Sequence, residues 1–270
     1  MVLEILESVP STMDVARENV LLGRVVFDVR GRPNYEAVLA REQTAGRGQR
    51  GRVWYAPPGE AFCATYYFRR DRTDPQHVGE IALLAGVAVV EALRSLLCPL
   101  APNTMAGAPE IRQVPPALCL GLKWPNDVTL NGKKLAGILI EMVKAPDGKW
   151  TALIGIGINL GQRAFPPEFA ASATSLALEG ALACDWQTLG LRIAEALHAE
   201  ADRLCSRGFP ALLQRWRAYD QTPGRRYETQ IDGVTLQGIA LGVNAVGALR
   251  LQLEDGREVA VTTATSVRES

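Results

Sequence analysis

Lys123-Trp124-Pro125-Asn126-Asp127-Val128-Thr129-Leu130-Asn131-Gly132-Lys133-Lys134-Leu135-Ala136-Gly137-Ile138-Leu139-Ile140-Glu141 reads as successive strands of one sheet. Leu118–Lys123 is an apolar run that Pro125 ends, because proline holds the preceding Trp124 in an extended conformation. Asp127–Leu130 and Lys134–Val143 flank Asn131-Gly132, a pair that adopts the left-handed backbone a tight hairpin needs. Thr151–Asn159 follows the Asp147-Gly148 turn as another strand. The middle of the chain is therefore sheet.

Outward from that centre the pattern alternates. Ser11 with Asp14 three residues later predicts a capped helix over Met13–Leu22, closed by Gly23. Tyr35–Arg41 and Phe62–Arg69 read as strands, and Gly79–Leu97 carries Ile81, Leu84 and Val87 at helical spacing. Pro99 to Pro116 has no apolar period and reads as a surface insertion. Trp186–Arg207 and Pro210–Tyr219 return to helix, and Pro223-Gly224 marks a break. Beyond it, glycines at 233, 238, 242, 247 and 256 separate short alternating strands such as Leu249–Leu253, the pattern of a small twisted barrel. A piece of about 48 residues is marginal alone and is expected to dock on the larger part. The division expected is 1–221 and 222–270.

Composition narrows the function. The 270 residues hold 29 Lys+Arg against 29 Asp+Glu, a formal net charge of zero, and 47% of them are hydrophobic. That balance disfavours bulk binding to DNA or to an anionic membrane, which draws on clustered positive charge. The most apolar stretch, Ile81 to Leu97, is interrupted by Glu91 and Arg94, so no membrane span is expected. Five scattered cysteines form no CxxC pair, which predicts neither a disulfide framework nor a structural metal and fits a reducing cytoplasm. His77 and His198, the two histidines, are read as surface side chains.

Four segments carry chemistry. Gly46-Arg47-Gly48-Gln49-Arg50-Gly51 matches a dinucleotide-binding spacing, yet prolines 57 and 58 and a strand follow it where that motif demands a helix. Its glycines and its arginines 47, 50 and 52 suit a loop that grips an anion, against the plainer reading of a basic surface loop. Lys123, Asn126 and Asp127 place a cation, an amide and a carboxylate at a strand end, a set that suits a nucleotide and a magnesium ion; the alternative is a structural turn with a solvated ion pair. Lys133 and Lys134 precede a strand whose Ala136 and Gly137 let a ligand lie against the backbone. Three of only five lysines fall in these two segments, in a chain that otherwise uses arginine. In Gly155-Ile156-Gly157-Ile158-Asn159 the alternate glycines leave one face bare, with room for a flat ligand and Asn159 at its rim.

Together with Ser11-Thr12-Met13-Asp14 and Glu42-Gln43-Thr44-Ala45-Gly46-Arg47-Gly48-Gln49-Arg50-Gly51-Arg52-Val53-Trp54, these segments resemble, in order, the biotin protein ligase family. The resemblance runs through nearly the whole chain, and its glycine-punctuated tail is similar to that family's SH3-like C-terminal domain. It implies an α/β (α+β) fold with a mixed, largely antiparallel sheet flanked by helices. It also implies a ligase that converts biotin and ATP, with Mg2+, to biotinyl-5′-AMP and pyrophosphate, then passes the biotinyl group to a lysine of a biotin carboxyl carrier protein.

The resemblance carries roles to individual positions. Ser11, Thr12, Met13 and Gln43 resemble groups that hold biotin's ring system, with Arg47, Gly48 and Gln49 as the loop over it and Gly137 and Gly155 beside it. Lys134 matches the lysine that touches both the biotin carboxylate and the α-phosphate, and Arg47 stands with it as catalytic. Arg52, Trp54, Lys123, Asn126 and Asn159 resemble nucleotide contacts, and Asp127 a magnesium or orientation residue. Gln49 departs from the basic residue common at its place. The Ser11 motif begins ten residues into the chain, with no room before it for a DNA-binding module, so a ligase without repressor function is expected. A homodimer through the catalytic sheet is the assembly the resemblance suggests. Competing readings are a lipoate or octanoate ligase of the same fold and a catalytically silent biotin-binding relative.

Overall fold

A computed structural model describes residues 1–71, 73–97, 118–181, 185–231, 234–262 and 267–269. The insertion expected from Pro99 to Pro116 lies outside the described residues. The first sheet comprises β1 (Leu3–Val9), β2 (Ala37–Gln43), β3 (Ala61–Phe68), β4 (Leu120–Lys123), β5 (Asp127–Leu130), β6 (Lys133–Lys144) and β7 (Trp150–Asn159), in the order β1-β2-β3-β7-β6-β5-β4. The β1–β2 pair is parallel and every other pair antiparallel. The expected mixed, largely antiparallel sheet is thus present. Asn131 and Gly132 both take positive φ, 52° and 82°, at the β5–β6 hairpin.

Period-two alternation gives the sheet two unlike faces. Along β7, Ala152, Ile154, Ile156 and Ile158 join the main core, whereas Leu153, Gly155, Gly157 and Asn159 turn the other way. The core face is covered by α2 (Val78–Leu97), α4 (Trp186–Arg207) and α5 (Phe209–Arg217). The opposite face carries α1 (Thr12–Leu21), whose Met13, Ala16 and Val20 pack on Val38, Tyr67, Val143 and Leu153. Because α1 covers only part of that face, the glycine-bearing ends of β6 and β7 stay open for a site.

Local chemistry sets the ends of α1. Ser11 takes an extended backbone, and its Oγ accepts a hydrogen bond from the Met13 amide at 3.3 Å. Gly23, at φ 67°, closes the helix while the Arg24 amide returns to the Asn19 carbonyl at 2.9 Å. On the other face α2 approaches α5 and β4 closely at Gly86, where a Cβ would stand 2.9 Å from Trp216 and 3.1 Å from Leu122. Gly86→Val therefore overpacks a rigid corner, and a loss of about 1–3 kcal/mol is expected from urea unfolding. An unchanged midpoint would show that Trp216 yields freely.

The second sheet, β8 (Arg226–Ile231), β9 (Val234–Val243), β10 (Leu249–Leu253), β11 (Glu258–Val261) and β12 (Val267–Glu269), is antiparallel, with order β11-β10-β9-β8-β12. Its Tyr227, Ala240, Val243, Leu249, Leu251 and Val261 belong to the same apolar core as α2 and the first sheet. The tail is therefore docked, as its size demands. Residues 219–221 also run beside β4: the Leu122 amide donates to the Tyr219 carbonyl at 2.7 Å, and the Gln221 amide to the Leu122 carbonyl at 2.8 Å.

One expectation is corrected here. His198 is buried, with Nε2 2.7 Å from Glu36 Oε2 and Nδ1 3.1 Å from an Arg70 nitrogen. It belongs to a polar cluster under α4, where Glu36 itself is buried. Apolar spacing along α4 gave no sign of a partner 162 residues away in the chain. Among the described residues no helix is long and apolar enough to cross a membrane.

Candidate active site

A cleft of about 840 Å³ opens on the glycine-bearing face of the first sheet, within the size range of small-molecule sites. Its floor is built by strand pairing. Gly137 on β6 lies opposite Gly157 on β7, and Gly157 lies opposite Cys63 on β3. Gly155 is flanked by Leu139 and Thr65 in the same way. Burial pushes the Cys63 thiol up to about 12, so it sits in the floor as a neutral group.

The glycines do not leave an empty shelf. A Cβ on Gly157 would fall 2.4 Å from the Trp54 indole, one on Gly137 3.1 Å from it, and one on Gly155 2.7 Å from the Met13 methyl. The room expected for a flat ligand is occupied by the indole, and its Nε1 is buried without a hydrogen-bond partner of normal geometry. Trp54 is brought there by a loop that folds back on itself. The Gly48 amide donates to the Arg52 carbonyl at 2.7 Å, and the Trp54 amide to the Gly46 carbonyl at 3.0 Å. Gln49–Gly51 forms only a single 3-10 turn, in keeping with the failed dinucleotide motif.

At one end of the cleft, the Thr12 amide and hydroxyl both donate to Gln43 Oε1, at 2.8 and 3.0 Å, and the hydroxyl also lies 2.9 Å from Thr65 Oγ1. The N-terminus of α1 is thereby joined to the end of β2 and the middle of β3, and its Ser11, Thr12 and Met13 line the cleft. Arg47 grips Asp14 with two bonds of 2.8 and 2.6 Å and lies 4.0 Å from Glu141, which also pairs with Arg17. The guanidinium holds the Asp14 carboxyl below the usual carboxylate range, and the carboxylate raises Arg47 in turn. Both partners are substantially exposed, so the pair contributes at most about 1 kcal/mol. It suits a closure that opens readily.

At the other end, Lys134 Nζ stands 2.6 Å from Asp127 Oδ1, and Lys123 Nζ 3.3 Å from Asp127 Oδ2. The same Lys134 ammonium lies 5.8 Å from the centre of the Trp54 ring, within cation–π range. The Lys134 backbone is pinned from outside the sheet: its amide donates to the Ser172 carbonyl at 2.8 Å, and the Thr174 amide donates to its carbonyl at 2.9 Å. The Asn126 side chain donates to the Ile138 carbonyl at 2.7 Å, binding β5 to β6. Asn159 is buried with both amide ends engaged, giving a bond to the Thr174 carbonyl at 2.9 Å and accepting one from Gln162 at 3.1 Å. It acts as framework for the segment that holds Lys134.

The positions to which the resemblance carried roles all line this one cleft: Ser11, Thr12, Met13, Gln43, Arg47, Gly48, Gln49, Arg52, Trp54, Lys123, Asn126, Asp127, Lys134, Gly137, Gly155 and Asn159. Lys133, singled out beside Lys134, is exposed and does not line it. The sequence reading missed a second wall, in which Phe165 and Pro166 lead into the short helix α3 (Pro167–Ala170), whose Glu168 and Phe169 line the cleft, and on to Ser172. Phe165 meets Tyr55 edge-on at 6.4 Å. Tyr227 of β8 also lines the cleft, and its hydroxyl lies 3.4 Å from the Trp124 carbonyl. The aromatic spacing after Asn159 was the one available signal for the first wall; nothing local pointed to Tyr227.

Residues 7–159, more than half of the chain, match the family described as the biotin/lipoate A/B protein ligase family. The chain belongs to that family. A biotin–[acetyl-CoA-carboxylase] ligase of Paracoccus denitrificans is 32% identical to this member over 225 residues, which cover 82% of this chain and 86% of that protein. The bifunctional ligase/repressor BirA of Bacillus spizizenii is 31% identical over 226 residues, 83% of this chain. The match spans 63% of that relative's length. The solved biotin protein ligase of Aquifex aeolicus in complex with biotin and ATP has a TM-score of 0.72 and 23% identity, covering 100% of this chain and 99% of that one. The two chains thus share the fold described above.

Proposed function

We propose that this member of the family activates biotin with ATP and transfers it to a protein lysine. The observation that carries the reading is the convergence, in one cleft, of a glycine floor, a glycine-arginine loop and the Lys134 ammonium. Biotin lies with its ring system toward Ser11, Thr12, Met13 and Gln43 and its carboxylate toward Lys134; ATP enters from the side of Arg52, Trp54, Lys123 and Asn126. A carboxylate oxygen attacks the α-phosphorus, the bond to the β-phosphate bridging oxygen breaks, and pyrophosphate leaves. Two anions meet in that step, so a cation shared by both lowers the barrier more than a general base would. A carrier lysine amine then attacks the acyl carbon and AMP departs.

The adenylate is a labile mixed anhydride, and the loop latched through Arg47 and Asp14 shields it from water. The reading extends to a biotin carboxyl carrier protein as acceptor, to residues 222–270 as an accessory SH3-like unit docked on 1–221, and to a homodimer through the first sheet. A reducing cytoplasm agrees with Cys63, Cys119 and Cys205 being free thiols. Magnesium fits poorly as a resident ion: both oxygens of Asp127 are already taken by lysines, and among the described residues no three His, Cys, Asp or Glu side chains converge on a metal position.

ATP–pyrophosphate exchange on purified protein, with biotin, lipoate and octanoate supplied separately, tests the reading without a carrier. Exchange with biotin alone is expected. Exchange only with lipoate or octanoate replaces the substrate, and biotin binding without any exchange points to a silent relative.

A further inference from the structure

We infer that Asp127 is a positioning residue that aims Lys134, and that it does not ligate the magnesium ion of the reaction. The inference deepens the adenylation reading and rests on it. Asp127 opens β5, with its side chain 14% exposed. It pairs in register with Lys123 on one side and Gly137 on the other. Having no side chain, Gly137 leaves the space across which Lys134 reaches the carboxylate. One oxygen receives each lysine, at 2.6 Å from Lys134 and 3.3 Å from Lys123.

Both ends of the Lys134–Asp127 contact are anchored independently. The Ile138 amide donates to the Asn126 carbonyl at 2.9 Å, and the Asn126 side chain returns the bond to the Ile138 carbonyl at 2.7 Å. Those bonds fix the backbone just ahead of Asp127. Lys134 is fixed by its two bonds to residues 172 and 174. A lysine on a four-carbon stem otherwise samples many rotamers, and holding it in one direction is what a charged tether achieves. The ammonium has three donors. One goes to Asp127, and two remain for a carboxylate oxygen and an α-phosphate oxygen.

Charge argues the same way. Within this trio two ammonium groups meet a single carboxylate, an arrangement suited to two approaching anions. A divalent ion on either Asp127 oxygen would displace a lysine and then face two ammonium groups at close range. Magnesium demands near-octahedral oxygen coordination and is commonly held by substrate phosphates plus one or two carboxylates. Here the phosphates bring it.

The test compares wild type with Asp127→Asn, Asp127→Ala and Asp127→Glu in the full chain. With biotin and ATP saturating, exchange is expected to fall roughly 10- to 100-fold in the asparagine and alanine variants, the scale of a misplaced catalytic group. Partial recovery is expected in Asp127→Glu, with the magnesium concentration for half-maximal rate unchanged within about twofold throughout. In parallel, electron paramagnetic resonance of Mn2+ is recorded with nucleotide-free wild type and Asp127→Asn. The free-ion signal is expected to be the same for both proteins. A tenfold or greater rise in the magnesium requirement of the variants, or Mn2+ binding by wild type that Asp127→Asn abolishes, overturns the inference. Wild type without biotin-dependent exchange overturns the adenylation reading instead, and the Mn2+ comparison, which needs no turnover, still decides whether Asp127 holds a metal.

Discussion

Lys134→Ala is expected to lower biotin-dependent ATP–pyrophosphate exchange by ~10²–10³-fold, the usual loss when one donor to a charged transition state is removed. The fold does not depend on this side chain. Lys134 is about one third exposed, and it is the backbone, not the ammonium, that binds residues 172 and 174. Truncation leaves β6 paired and the glycine floor intact while removing the charge that reaches toward both the Trp54 ring and Asp127. Far-UV circular dichroism and the urea midpoint should match wild type. Lys134→Arg is expected to recover little, because a planar fork cannot reproduce a point charge shared between two anions. Exchange within a few-fold of wild type in the alanine variant would take Lys134 out of the chemistry.

The second large effect belongs to the floor. Gly157→Val is expected to weaken biotin binding by about 1–3 kcal/mol, the cost of forcing bulk into a packed position, which is roughly 5- to 150-fold in affinity. The floor has no direction in which to give, since Gly157 is paired with Cys63 on one side and Gly137 on the other. A side chain there meets the Trp54 indole at 2.4 Å and pushes it into the cleft. Ile154→Val, three residues earlier on the opposite face and fully buried, is the contrast. It should cost about 0.5–1.5 kcal/mol of stability and leave biotin affinity unchanged. Calorimetric titration reads both; equal affinities for Gly157→Val and wild type would mean that biotin does not use this floor.

Much of the fold was legible because its signals are local. The Asn131-Gly132 pair, the Ser11 cap and the apolar spacing of Ile81–Leu93 each act within a few residues, and β5, α2 and α4 fall within one residue of their expected ends. β1 was not read, because it is a sheet-edge strand with Glu4 and Glu7 on it, and its Leu3 and Ile5 are only partly buried against the core. The site was legible in outline because its chemistry sits on strand ends and loops close in the chain to identifiable turns. What local patterning cannot reveal is which groups are already engaged. The Asn159 amide is consumed by Thr174 and Gln162, Asp127 by two lysines, and the bare glycine face by an indole from a loop far back in the chain. Tyr227 and the 165–173 wall reach the cleft through tertiary contacts alone.

Trp124 bears on how the molecule comes apart. Its ring is buried, its indole donates to the Gly247 carbonyl at 3.2 Å, its amide donates to Thr222 Oγ1 at 2.9 Å, and Tyr227 reaches its carbonyl. Gly247 belongs to the turn between β9 and β10, so the strand end that presents Asn126 and Asp127 is riveted to the second sheet. With one apolar core running through both sheets, neither part has a boundary along which to melt separately. Chemical denaturation should therefore give a single transition, coincident by tryptophan fluorescence and circular dichroism. Damage at the far tip of the second sheet would then register as a loss of activity at the lysine end of the cleft.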